Sequence, residues 1–180
     1  GATVGVVANR TKVYDDNMEV VAEYEPKLTA NGCDKAAQFV YFCDDFSIPV
    51  LTLTNATGFK ACKCQEKRCA KATARLTYAF ASATVPKVNV IIGEAFGSAY
   101  VTMNSKSIGA DMVFALPTAK VGMMDANAAA KIMYAKEIEE DASVLAEKTA
   151  EYAQLQGSVT KAASRGYVDN IVEPVDVRKY

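Results

Sequence analysis

The sequence predicts a single α/β layered domain, and three observations carry that prediction. Apolar runs that alternate with a period of two are separated by segments whose apolar residues recur at helical spacing. The 180 residues, 51% hydrophobic and 23% charged, suffice for one buried core and fall short of two ordinary domains. The stretch from Val85 to Ala119, VPKVNVIIGEAFGSAYVTMNSKSIGADMVFALPTA, passes from an apolar strand through glycine-containing chain into a small-residue helix.

Taken in order, the chain enters a strand within its first residues, over Thr3 to Asn9. Thr11 to Asn31, with its acidic residues and Pro26, lacks periodicity and is predicted to be a long loop excursion. From Ala36, the residues Ala36, Phe39, Val40 and Cys43 fall at i, i+3, i+4 and i+7, one face of a helix that Ile48-Pro49 ends. Val50 to Leu53 is a strand. Lys63 to Ala83 is a second helix, with Cys69, Ala72, Leu76, Ala79, Phe80 and Ala83 inward and Lys67, Arg68, Lys71 and Arg75 toward water. Val88, Val90 and Ile92 alternate as strand residues; Gly93 and Gly97 are predicted to turn the backbone, and Ser98-Ala99 to open a short helix. Met112 to Ala115 is another strand. A last long helix is predicted from Ile138 to Gln156, with Ala142, Leu145, Ala146, Tyr152 and Ala153 inward and Gly157 as its stop. No internal repeat and no low-complexity tract interrupts this order.

Charge and cysteine usage narrow the function classes. A net charge of -1 with interspersed signs offers no extended basic surface, which argues against nucleic acid and anionic membrane as partners. No apolar run approaches a membrane span and no signal-peptide pattern opens the chain, so the cytoplasm is the expected location. The start at Gly1, without Met, suggests either a residue left from cloning or a piece of something longer. Five cysteines, at 33, 43, 62, 64 and 69, are expected to be free thiols. Cys62, Cys64 and Cys69 lack a fourth ligand and the chain has no His, so no metal site is expected.

The candidate chemistry is carried by backbone. The free amides of the helix turn that opens after Gly97 could hold a developing oxyanion without a titratable side chain. The bland reading is a plain strand-to-helix connection, which binds nothing. Gly58-Phe59 could equally be a turn and a core Phe, and Tyr100 and Met103 packing residues of the short helix. Gln65 and Glu66 are read as opening the second helix, and the basic series from Lys60 to Arg75 as a solvated face or a dock for an acidic partner or phosphates.

Several segments, collinear over nearly the whole chain, resemble the C-terminal half of the biotin-dependent acyl-CoA carboxyltransferases, typified by the beta subunit of propionyl-CoA carboxylase. They are Thr3 to Asn9, Asp34 to Asp44 (DKAAQFVYFCD), Ile48 to Leu53, Ala83 to Val88, Val85 to Ala119, Gly109-Ala110-Asp111, Arg165 to Asp169 and Glu173-Pro174. Alternation alone leaves a doubly wound sheet and a spiral equally open. The resemblance implies the crotonase-like spiral of repeated strand-strand-helix units, with residues 1–180 as one C-terminal-type domain and the N-terminal-type domain absent.

The resemblance further implies two backbone oxyanion corners, with Gly58, Phe59, Ser98 and Ala99 as NH donors and Gly97, Tyr100 and Val101 as substrate-binding residues. Val101 stands where relatives choose between short acyl chains. The implied reaction moves a carboxyl group between carboxybiotin, borne on a carrier domain, and the α-carbon of a short acyl-CoA. The implied partners are an N-terminal-type domain or subunit and an oligomer around it. Two alternatives are a biotin-dependent acyl-CoA decarboxylase alpha-type subunit and a non-catalytic assembly or ligand-binding module with degenerate loops. A hydratase or isomerase acting alone would need a carboxylate base, with only Asp125 and Glu94 near the corners. The sequence departs from the family pattern at Asn55-Ala56-Thr57-Gly58-Phe59, where relatives have Asp-x-Pro-Gly-Phe, and at Ala61-Cys62, where they have Pro-Gly. Ser98 replaces a glycine, and Met124-Asp125-Ala126-Asn127-Ala128-Ala129 loses two more.

Overall fold

The computed structural model describes all 180 residues. The central sheet is parallel throughout. Its order is β1 (Gly5–Ala8), β5 (Val50–Ala56), β7 (Lys87–Phe96), β8 (Met112–Ala115) and β10 (Asn170–Ile171), and β9 (Lys120–Gly122) pairs with the far end of β7. β7 belongs to two turns of the fold. Its first half, Val88 to Ile91, is in register with Met112 to Ala115, and its second half, Glu94 to Phe96, with Lys120 to Gly122. Parallel neighbours need crossovers, and α1 (Ala30–Asp45) and α2 (Lys63–Ser82) supply them on one face.

That face holds the main core. Val7, Val40, Cys43, Val50, Leu76 and Phe80 interlock there, each buried. The residues of α2 predicted to face inward do so, with Cys69 half-buried at the margin. In α1 the buried stripe is Ala30, Cys33, Ala37, Val40 and Cys43, so Phe39, predicted inward, lies outside it. α1 also starts earlier than predicted. Thr29 caps it, its Oγ1 accepting from the Gly32 N–H at 3.1 Å, and a glycine three residues past the cap does not break the helix. The opposite sheet face is covered thinly, by Val172, Val177 and Tyr180, whose ring stands 5.7 Å from that of Phe114.

Four further expectations are corrected. Residues 11–31 are not a loop: β2 (Lys12–Tyr14) and β3 (Val20–Glu23) form an antiparallel hairpin, and β4 (Lys27–Leu28) pairs in parallel with β6 (Gly58–Phe59). Gly93 does not turn the chain, because β7 runs through it to Phe96; the turn is at Gly97, where φ is +57°. The last long helix is broken. α5 (Ala135–Glu140) stops at Asp141, whose carboxylate takes the Ser143 N–H at 2.9 Å, and α6 (Val144–Gln156) starts afresh. α6 carries no buried residue, so its predicted inward set is unmet; it packs on α4 (Ala126–Met133) as a helical arm. Gly157 caps it as predicted.

Candidate functional site

α3 (Gly97–Thr102) follows β7 directly, and its N-cap, Phe96, offers no side-chain oxygen. The amides of its first turn therefore have neither intrahelical acceptors nor a side-chain cap. Gly97 is required by geometry: its φ is positive, and a Cβ there would lie 2.8 Å from the Met123 carbonyl oxygen. Ser98 is exposed, Ala99 is buried against the main core, and Val101 is half-buried. The C-terminal end is held from beneath. The Met103 carbonyl accepts from Thr54 Oγ1 at 3.3 Å and Asn89 Nδ2 at 3.2 Å, while the Thr54 hydroxyl reaches Asn89 Oδ1 at 2.8 Å. Thr102 and Thr77 hydroxyls, 3.2 Å apart, tie the same helix to α2.

The second corner leaves β5 at Ala56. Thr57 N–H donates to Pro26 O at 2.8 Å and Lys60 N–H to Leu28 O at 2.9 Å, which pins the corner along β4. A Cβ on Gly58 would meet nothing within 4 Å. α3 packs against β6, which brings Gly58, Phe59, Ser98 and Ala99 into one neighbourhood. Asn55 braces both: its Oδ1 accepts the Glu94 N–H at 3.0 Å, and its backbone is bonded to the Asn9 side chain at both N–H and C=O. Gly93 makes this possible, since a Cβ there would stand 2.6 Å from Asn55 Oδ1.

Tyr100, expected at the substrate, lies inside the second core, 6% exposed, with its hydroxyl 3.5 Å from Tyr167 O. Burial first, then Tyr167 and Asp169, pushes it up to about 12, so it stays neutral. Its ring packs, as the bland reading had it. Glu94 is paired with Lys120 at 3.2 Å, and Asp125 caps α4, taking the Asn127 and Ala128 amides at 3.0 and 3.2 Å. Both carboxylates are thus engaged, one in an exposed ion pair and one in a helix cap, and neither is set up as a base for a solitary hydratase. Asp125 has φ −56°, so the lost glycine costs no strain there. Gln65, read as a helix-opening residue, also reaches across to accept the Ala30 N–H at 2.7 Å, joining the first turns of α1 and α2.

A cavity of about 770 Å³ opens beside this region, between β1, β4 and α1. Its wall includes Arg10, Lys35, Tyr24 and Phe39, and it touches the two corners only through Lys60 and Met103. The bracing residues Asn9, Asn55, Asn89, Thr54 and Gln65 were missed from sequence. The available signal was parity: Thr52, Thr54 and Asn89 occupy inward strand positions, all fully buried, where apolar residues are the norm.

An all-parallel sheet with crossover helices, one strand shared between two turns and two backbone corners at the C-terminal ends of β5 and β7, defines an α/β domain of the crotonase-like carboxyltransferase class. Transcarboxylase 12S, solved as a hexamer with methylmalonyl-coenzyme A bound, superposes with a TM-score of 0.85 at 36% identity over 98% of this chain and 33% of that one. The beta subunit of geranyl-CoA carboxylase from P. aeruginosa superposes with a TM-score of 0.77 at 27% identity, over 85% of this chain and 30% of that one. The family model described as carboxyl transferase domain matches residues 1–180, and the chain belongs to that family. A putative propionyl-CoA carboxylase beta chain of Bacillus subtilis is 43% identical over 97% of this chain and 33% of its own length. The methylmalonyl-CoA decarboxylase alpha subunit of Veillonella parvula is 36% identical over 99% of this chain and 32% of its own. The chain spans about a third of the length of the curated relatives it matches.

Proposed function

We propose that this chain is the biotin-side half of an acyl-CoA carboxyltransferase, acting on a short acyl-CoA. The observation that carries the reading is the packing of an uncapped helix start, Ser98-Ala99, against the open corner Gly58-Phe59. Such a place suits an uncharged ring with a carbonyl oxygen: main-chain donors, no titratable side chain, and room at Gly58 for approach. Biotin, delivered by a carrier domain, supplies the carboxyl group in this reading. Ser98 and Ala99 N–H, with Phe59 N–H, hold the carbonyl oxygen and stabilise negative charge that grows on it. Gly97 keeps the first turn close to the Met123 strand end, and Asn55 fixes the spacing of the two corners. Removing one donor of this kind costs about a hundred- to a thousandfold in turnover elsewhere. An N-terminal-type domain or subunit brings the acyl-CoA, and the working form is an oligomer of both. The cytoplasm, where five thiols stay reduced, is the proposed compartment.

The test is transfer from carboxybiotin to propionyl-CoA by the purified chain, alone and mixed with an N-terminal-type domain. Product is expected only in the mixture, and Ser98→Leu, a change at an exposed position, should lower it by at least about tenfold with an unchanged melting temperature. Absence of transfer with every partner rejects the reading. Calorimetric heat with biotin but no transfer would instead favour a binding module, and transfer only in the reverse direction a decarboxylase subunit.

A further inference from the structure

Where β6 gives way to α2, the chain reads Ala61-Cys62-Lys63-Cys64. Cys62 is the N-cap of a 20-residue helix but does not cap it by side chain. Its carbonyl accepts the Gln65 and Glu66 amides at 2.9 and 3.0 Å, and its Sγ stands 3.0 Å from that of Cys64. Cys64 is exposed and Cys62 half-buried. The other thiols are placed differently. Cys33 is buried, its thiol pushed up to about 11 chiefly by that burial; Cys43 is buried, and Cys69 faces Thr73 Oγ1 at 3.8 Å. The Cys64 thiol chiefly holds Cys62 below the ordinary thiol range, while Cys64 is raised chiefly by its bond to Cys62. One sulfur is thereby set up to attack and its neighbour to follow.

We propose that Cys62 and Cys64 form a hydroperoxide-reactive dithiol, with Cys62 as the attacking thiolate and Cys64 as the resolving thiol. The Cys62 thiolate displaces hydroxide from hydrogen peroxide: an S–O bond forms, the O–O bond breaks, sulfur is oxidised to the sulfenic acid, and the hydroxide takes up the proton released by Cys62 as water. Cys64 sulfur then attacks Cys62 sulfur. The S–S bond forms, the S–O bond breaks, and the departing hydroxide leaves as water with the Cys64 proton. Two thiols and one peroxide thus give one disulfide and two waters. Residues i and i+2 at a strand-to-helix junction lie within the span a disulfide bridges. The inference rests on the thiols alone and is independent of carboxyl transfer.

Lys63 between the two cysteines makes the test direct. Trypsin cuts after Lys60, Lys63 and Lys67, so a disulfide joins Ala61-Cys62-Lys63 to Cys64-Gln65-Glu66-Lys67, whereas the reduced chain gives two separate peptides. Treatment of the intact chain with hydrogen peroxide is expected to yield the joined peptide, lighter by two hydrogens and separated again by dithiothreitol. In Cys64→Ser, dimedone should label Cys62; in Cys69→Ser, the joined peptide should persist. Sulfinic acid at Cys62 without joining, a link through Cys69 or Cys33, or no change while an exposed-thiol control oxidises would each overturn the assignment.

Discussion

Gly93 and Asn55 form a lock whose parts have no separate meaning. A side chain at 93 would drive into Asn55 Oδ1, 2.6 Å from the new Cβ, and displace the oxygen that holds the Glu94 N–H. Gly93→Ala is therefore expected to destabilise by about 1–3 kcal/mol, measured by urea unfolding. Gly93→Ala with Asn55→Ala should cost less than the sum of the single changes, because the clash disappears with the amide. A neutral Gly93→Ala would show that the corner is not braced there. Tyr100 makes the opposite case. Its hydroxyl contact at 3.5 Å lies at the limit of hydrogen-bonding distance, so Tyr100→Phe should change stability by less than about 1 kcal/mol. Carboxyl transfer should also survive it, in contrast to Ser98→Leu.

The elements are fastened to one another by polar side chains at their ends. Lys87 is 5% exposed, and its ammonium donates to Phe80 O at 2.8 Å and Ala83 O at 2.9 Å, closing the C-terminus of α2. Lys87→Met keeps the apolar stem but strands two buried carbonyls, and a loss of about 1–3 kcal/mol is expected in thermal or urea melts. Asp44, near the end of α1, takes the Thr84 N–H at 2.7 Å and the Val85 N–H at 3.2 Å, fastening α1 to the turn after α2. The Thr84 amide chiefly holds its carboxyl below the ordinary range, against an opposing desolvation. A depressed carboxylate stabilises above its unfolded pKa and loses that contribution as pH falls through the folded value. Asp44→Asn should accordingly lower the urea midpoint at pH 7, and its curve should converge with that of the wild type as pH drops below about 4. Helix periodicity made α2 readable almost to the residue, because one wide apolar stripe faces a full core. The same reasoning failed for α6, whose apolar residues face no core, and for α1, whose start is set by Thr29 and by Gln65 from another helix. Local pattern reports local burial; long-range caps leave no local trace.

For the molecule as a whole, the order of the main strands β1, β5, β7 and β8 and of the helices α1, α2 and α3 between them was legible, the short strands were not, and the site only in outline. Backbone amides carry no signature in residue type beyond the glycines that shape their corners, and the residues that brace them, Asn9, Asn55 and Asn89, read singly as ordinary polar positions. What the whole chain does show is exposed apolar surface. Met18 on the β2–β3 hairpin is 76% exposed, and Ile132 and Met133 on the α4–α6 arm are 68% and 62% exposed. Met123 and Leu155 are exposed too, so the arm carries several large apolar side chains in water. Its amphipathic α4 turns Ala129 and Ala130 inward and leaves the bulkier residues outside, the reverse of what an isolated domain requires. The arm is therefore expected to drive association with a second carboxyltransferase chain, and sedimentation velocity of the purified protein should show mass rising with concentration. Ile132→Glu with Met133→Glu, placed where no core contact is lost, should return the chain to monomer at an unchanged melting temperature. A monomer in the unaltered protein at every concentration tested would mean that the arm waits for a different surface, and the same double change should then abolish transfer in the mixture with the N-terminal-type domain.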